Sequence, residues 1–196
     1  MTEVGTASQV WRSKKLDYKN SVGWSAPDTQ IKIVDKDSGQ LLGPNQVGEI
    51  LIKNLQTTPG YLNQSDRNSE SFDSDGFFRS GDAGYYDEQE LLYILDRYKQ
   101  IIKVEGVSVL PSELEYLLLT HDHISEAAVI GVEDQRFGEI PKAFVVLKPN
   151  REISEESIVK YIDGLVNYFK RLRGGVTFLK ELPKTSSGKI NKSLLK

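Results

Sequence analysis

The chain has 196 residues, enough for one large domain or two small ones, and 38% hydrophobic with 27% charged residues is the balance of a folded globular protein. A net charge of −3 argues against a non-specific nucleic-acid binder, which needs a basic excess. There is no cysteine, so disulfide and thiol chemistry are excluded, which suits a reducing compartment. No basic start and apolar run marks a secretory signal, and no apolar stretch is long enough for a transmembrane segment.

The first half reads as β-rich. Gln30–Val34 alternates polar and apolar residues, as a half-buried strand does. Gly48–Lys53 is a second strand, entered through the turn-prone Gly43-Pro44-Asn45. Tyr85-Tyr86 and Leu91–Leu95 flank the polar Asp87–Glu90, the pattern of a hairpin with a longer loop.

The second half is mixed. Pro111 followed by Glu113 and Glu115 opens a helix, with proline in the first turn and early carboxylates facing the positive helix end. Leu114, Leu117 and Leu118 continue it at helical spacing. Ala127–Val132 and Ala143–Leu147 read as short buried strands, and Val176–Leu179 as a further strand. A second helix is expected from the N-cap Ser154, with Ile158, Ile162 and Leu165 on one face and Gly174-Gly175 as its stop. The composition shifts around Asp96 to Lys99. The expected organisation is α+β, with a small β-rich subdomain over 1–96 and a mixed α+β domain over 97–196.

Three stretches carry candidate chemistry. Pro183-Lys184-Thr185-Ser186-Ser187-Gly188-Lys189-Ile190 is a loop of small and hydroxyl residues that delivers one ammonium, a compact cation suited to a phosphate whose charge changes during reaction. It is not a Walker loop, because Pro183 stands where glycine is required and Ile190 where a hydroxyl is required. Arg79-Ser80-Gly81-Asp82 precedes a strand, which places Asp82 on a loop beside a sheet edge, where a carboxylate can accept two hydrogen bonds from a vicinal diol such as a ribose. On that stretch alone, a turn-capping role for Asp82 is favoured. Asp96 to Gly106, if extended, puts Arg97, Lys99, Ile101 and Lys103 on one face, a pattern that solvated strands also show.

Other signals are weaker. Ser71, Asp73, Asp75, Gly76 and Asp82 fall at calcium-loop spacing but lack the first Asp and last Glu, so a plain turn is favoured. His121 and His123 follow a helix end and have no cysteine or further histidine for zinc. Trp11, Trp24 and the tyrosines lack a basic stripe and read as packing residues.

The order of motifs is more specific than any one of them. Gly48-Glu49-Ile50, Gly60-Tyr61-Leu62-Asn63, Arg79-Ser80-Gly81-Asp82, Asp96-Arg97, Ile102-Lys103-x-x-Gly106, Pro111-x-Glu113-x-Glu115 and the Lys189 loop follow one another. This run resembles the C-terminal part of the adenylate-forming acyl-CoA synthetase and luciferase superfamily, most of all its luciferase-like and 4-coumarate–CoA ligase branches. Leu172-Arg173-Gly174-Gly175-Val176 leans to the luciferase-like side.

The resemblance implies ATP-dependent activation of a carboxylic acid to an acyl-adenylate, with release of pyrophosphate and then transfer to CoA. Under it Asp82 binds the ribose hydroxyls, Arg97 the ribose and phosphate region, and Lys189 bridges the carboxylate and α-phosphate. Lys99 lies at the hinge of a mobile C-terminal domain, and Lys103 and Gly106 enter the site for the thioester step. Thr2 lies near the phosphates and Glu3 helps to hold Mg²⁺. Glu105 departs from the pattern, since many relatives carry a lysine there where CoA is contacted. The resemblance further implies an N-terminal domain of the complete enzyme, carrying the phosphate loop and acyl pocket, and hence a fragment inactive alone. The implied address is cytoplasmic or peroxisomal, although Ser193–Lys196 is no Ser-Lys-Leu signal. The rival expectations are a stand-alone AMP- or partner-binding module derived from such a ligase, or a luciferase fragment.

Overall fold

The computed structural model describes residues 1–10 and 20–195; Trp11 lies outside the described residues. The chain divides into two units, Met1–Lys99 and Gln100–Lys196, and its class is α+β.

The first unit is organised on a four-stranded antiparallel sheet: β3 (Gln30–Val34), β4 (Gly48–Lys53), β5 (Phe78–Tyr86) and β6 (Leu92–Arg97), in that order. A two-residue ladder of β1 (Ser8–Gln9) with β2 (Trp24–Ser25) and a short helix α1 (Ser65–Ser71) complete it. Period-2 alternation turns Ile31, Ile33, Ile50 and Ile52 to one side, where Val4, Phe78 and Leu92 join them in a core. A register slip between Glu49 and Leu51 marks a bulge at Ser80–Asp82, and a second slip, between Ala83 and Gly84, follows it.

The second unit is built around a long hairpin, β9 (Ile124–Asp134) and β10 (Gly138–Leu147). β10 also pairs in parallel with β11 (Val176–Phe178) and, at Gly138, with β7 (Ile102–Val104), which pairs with β8 (Val107–Val109). Helices α2 (Pro111–Leu119) and α3 (Glu155–Asp163) cover one face, burying Leu114, Leu118, Ile158 and Ile162 against Ala127, Val129, Ala143 and Val145. The other face packs Ala128, Ile130 and Phe144 against Leu182, with Leu179 and Leu195 alongside. Cover on both faces explains why β9 and β10 are apolar at successive positions. Among the described residues, no helix is long and apolar enough to cross a membrane.

Three expectations change. Arg79–Asp82 lies inside β5, with Arg79 opposite Leu51 of β4 and Asp82 opposite Arg97 of β6, because the strand begins at Phe78 and continues through a bulge. The run from Arg97 to Lys103 is not one extended face: Tyr98–Gln100 forms a 3₁₀ turn, and only Ile102–Val104 alternates buried, exposed, buried. The helix after Ser154 ends at Asp163 with Gly164 as its cap, so Leu165 leaves the buried face and is 52% exposed. Ser154 does cap that helix, its hydroxyl accepting from the Ser157 amide at 3.3 Å.

Leu114→Ala is expected to lower stability by about 2–5 kcal/mol through a buried cavity, and Ser154→Ala by about 1 kcal/mol through the lost cap. Urea unfolding midpoints check both, and equal effects would contradict the burial assigned to Leu114.

Candidate functional site

In the first unit, register across β5 and β6 sets Asp82 opposite Arg97. The Arg97 guanidinium lies 3.1 Å from Asp82 Oδ1 through Nε and donates to the Ser80 carbonyl at 2.8 Å. Ser80, 4% exposed, ties the bulge together: its hydroxyl donates to the Ile50 carbonyl at 2.7 Å and accepts from the Asp82 amide at 3.0 Å. Gly81 has φ of +71°, and a Cβ there would sit 3.2 Å from Arg97, so glycine both allows the turn and leaves room for the guanidinium.

Burial pushes the Asp82 carboxyl above its ordinary value, and the Asp96 and Glu3 carboxylates push the same way, while Arg97 pulls it down. Burial prevails over the ion pair because the Arg97 side chain is 56% exposed against 20% for Asp82, so water screens its attraction. Such a carboxylate favours added hydrogen-bond donors. It lines a shallow cavity of about 280 Å³ that also includes Thr6, Ser8, Ile50, Leu92 and Ile94. A larger cavity of about 680 Å³, formed by Ser25–Gln30 and Lys53–Leu55, touches none of the sequence-predicted residues, so volume is no guide here.

Glu3 is brought toward this pair. Its Oε1 accepts from the Tyr61 hydroxyl at 2.9 Å. Burial raises its carboxyl, but the backbone, Tyr61, the N-terminal ammonium and Arg97 together hold it below its ordinary value. Thr2 is adjacent and exposed. Among the described residues no group of three His, Cys, Asp or Glu could hold a metal. The donors fit Mg²⁺ only as a single ionised carboxylate, with phosphate oxygens and water completing the shell.

In the second unit, Lys103 and Gly106 share the β7–β8 hairpin. Glu105 at φ of +50° and Gly106 at +81° form its two-residue turn. Lys103 Nζ donates to its cross-strand partner Ser108 Oγ at 2.7 Å, and its amide to Glu139 Oε2 at 2.7 Å. The Lys189 loop is closed at its base. Lys184 and Ile190 form a bridge, the Thr185 amide donates to the Lys189 carbonyl at 2.8 Å, and the Asn191 amide to the Pro183 carbonyl at 2.7 Å. Lys189 itself is exposed, and among the described residues its ammonium has no hydrogen-bond or ion-pair partner.

The structure thus brings Asp82, Arg97 and Glu3 together, pairs Lys103 with Gly106 on one turn, and holds Lys189 on a separate hairpin. Lys99 is exposed in the 3₁₀ turn where the two units divide. Sequence reasoning missed Ser80 and Tyr61 as supports, although both lie in the quoted motifs, because their roles depend on long-range partners.

The family description for the AMP-binding enzyme C-terminal domain matches residues 113–189, and that for AMP-binding enzymes matches 1–62. The chain is 41% identical over 175 residues to the luciferin 4-monooxygenase of Photinus pyralis, covering 89% of this chain and 32% of that protein. It is 40% identical to the 4-coumarate–CoA ligase 1 of Glycine max, covering 97% of this chain and 66% of that one. The ATP-bound MatB of Rhodopseudomonas palustris superposes with a TM-score of 0.88 at 30% identity, over 100% of this chain and 38% of MatB. The chain spans about a third of the length of most of the curated relatives it matches.

A carboxyl whose protonation is favoured by folding contributes stability below its unfolded value and loses it as pH rises through its folded value. Asp82→Asn is therefore expected to be more stable than the parent at pH 7, with the difference closing in acid. Thermal unfolding across pH checks the sign; a destabilised Asn variant at neutral pH would mean that the Arg97 pair outweighs burial.

Proposed function

We propose, since this chain belongs to the adenylate-forming AMP-binding enzymes, that it is the C-terminal part of an ATP-dependent acid–CoA ligase of the luciferase-like type. The observation that carries the reading is the Asp82–Arg97 pair, a half-buried carboxylate short of donors beside an exposed guanidinium. A ribose diol supplies two such donors, and a nearby phosphate suits the guanidinium.

In the first half-reaction a carboxylate oxygen of the acid attacks the α-phosphorus. The new acyl–oxygen–phosphorus link forms as the bond to the β-phosphate breaks, and pyrophosphate leaves with that electron pair. Charge grows on the α-phosphoryl oxygens, and Lys189, with no partner of its own among the described residues, is the cation that meets it. Mg²⁺ supplies charge neutralisation on the phosphates, and Glu3 is the residue here that would hold it; Thr2 would lie beside those phosphates. In the second half-reaction the CoA thiol gives its proton to solvent, its sulfur bonds to the acyl carbon, and the acyl carbon–oxygen bond breaks as AMP leaves with that electron pair. Lys103 and Gly106 serve that step from their hairpin, after the domain turns about Lys99. The acid bound is set by a pocket on the proposed N-terminal domain, and the short chain by itself would lack adenylation activity.

Two outcomes test this. Calorimetry with AMP is expected to show binding that weakens as pH falls through the raised Asp82 value, because protonation removes the diol acceptor; pH-independent binding contradicts the role of Asp82. In a ligase completed with the N-terminal two-thirds of the Photinus relative, Lys189→Ala should slow pyrophosphate release by about 10²–10³-fold. Thioester formation from supplied acyl-adenylate should persist. Undiminished adenylation would remove Lys189 from the mechanism.

A further inference from the structure

The tip of the hairpin that carries Lys189 is exposed and bonded within itself, through Thr185 with Ser187 and Gly188, while both of its legs are tied down among the described residues. The leading leg is anchored by Leu182, which is 2% exposed, and by Lys184, whose ammonium meets Glu126 Oε1 at 2.9 Å. Those two side chains are 44% and 35% exposed, a setting in which water and salt screen most of the attraction. The trailing leg is held differently. Lys192 Nζ lies 2.7 Å from Glu115 Oε1, and the two side chains are only 14% and 19% exposed. The same oxygen accepts the Val129 amide at 2.7 Å. One carboxylate oxygen therefore joins α2, which bears Glu115, to β9 and to the segment that follows Lys189.

We propose that Glu115 and Lys192 are positioning residues for Lys189, fixing where its ammonium can reach during adenylation. The inference rests on the reading that Lys189 serves the first half-reaction. Lys192 is three residues beyond Lys189, a separation that extended chain spans in about 10 Å, so little slack lies between the anchor and the reactive group. The hydrogen bond from the Asn191 amide to the Pro183 carbonyl and the Lys184–Ile190 bridge tie that short span to the other leg. Loss of the buried pair frees the trailing leg between Ile190 and the packed Leu195, and leaves Leu182 and the more screened Lys184 contact on the leading leg to hold the hairpin. Misplacement of a charge-stabilising group by an ångström is enough to cost about 10²-fold in rate.

Glu115→Gln combined with Lys192→Met tests the proposal, since the amide oxygen still accepts from Val129 and no unpaired charge is left in the half-buried pocket. On the 196-residue chain, amide hydrogen exchange at Thr185 and Asn191 is expected to accelerate about tenfold or more, the effect of losing a charged hydrogen bond. Exchange at Ile158 in α3 should stay unchanged, and Lys192→Arg should retain the parent pattern at all three amides. Unchanged exchange at Thr185 and Asn191 would overturn the proposal, as would equal acceleration at Ile158, which would indicate general loosening. In the completed ligase the double variant should lose adenylation by about 10²-fold in kcat with little change in KM for ATP, while thioester transfer from supplied acyl-adenylate is retained. Lys189→Ala in parallel separates the two failures. If Lys189→Ala adenylates normally, the ligase reading of that lysine fails. If it is inactive but Glu115→Gln/Lys192→Met adenylates at the parent rate, the positioning role alone fails.

Discussion

Burial of the β9–β10 ladder on both faces is the constraint from which the second unit follows. Successive residues of a strand point to opposite sides, so Ala127 and Val129 turn toward the helices while Ala128 and Ile130 turn away. Leaving that second apolar face in water would forgo much of the hydrophobic gain. The chain after β11 covers it, with Leu179, Leu182 and Leu195 laid against Ile130 and Phe144. The Lys189 hairpin is the polar excursion within that covering segment, between Leu182 and Leu195. The exposed Lys189 is thereby mounted on a stretch whose two ends are packed through Leu182 and Leu195.

The first unit solves a different problem. It keeps a carboxylate half-buried without neutralising it completely, which costs stability wherever the carboxylate is charged. The strand bulges permit this arrangement. They free the local backbone from strict pairing, let Ser80 replace ladder bonds with its hydroxyl, and aim Asp82 and Arg97 at each other from neighbouring strands.

The lysines differ in state as well as in place. Lys103 is engaged by Ser108 across a tight turn, whereas Lys189 has no partner among the described residues. An exposed hydroxyl contact is given up easily when a more strongly charged acceptor arrives. The two-residue turn at Glu105-Gly106 and the closed hairpin base at Lys184–Ile190 both limit the conformational freedom of the segments that carry these cations.

Local pattern alone determined much of this protein. Alternation in Gln30–Val34 and Gly48–Lys53, the Ser154 cap, proline at the start of α2 and the ordered motifs through Lys189 were all legible, because each depends on residues close together in the chain. What the local pattern misplaced has a common cause. Asp82 looked like a loop residue because glycine and serine precede it, but pairing with β4 and β6 draws the whole segment into β5. The second helix looked longer because Gly164 is a weaker stop signal than Gly174-Gly175, yet the chain needs the intervening length to return to β11 beside β10. The cations and carboxylates were present in the sequence, but taken singly they read as turn-capping and solvated-strand residues, and only the order of the motifs set another reading beside that one. Their partners were decided only in three dimensions, because strand register and the cover on the second face of the sheet are set by contacts between residues far apart along the chain.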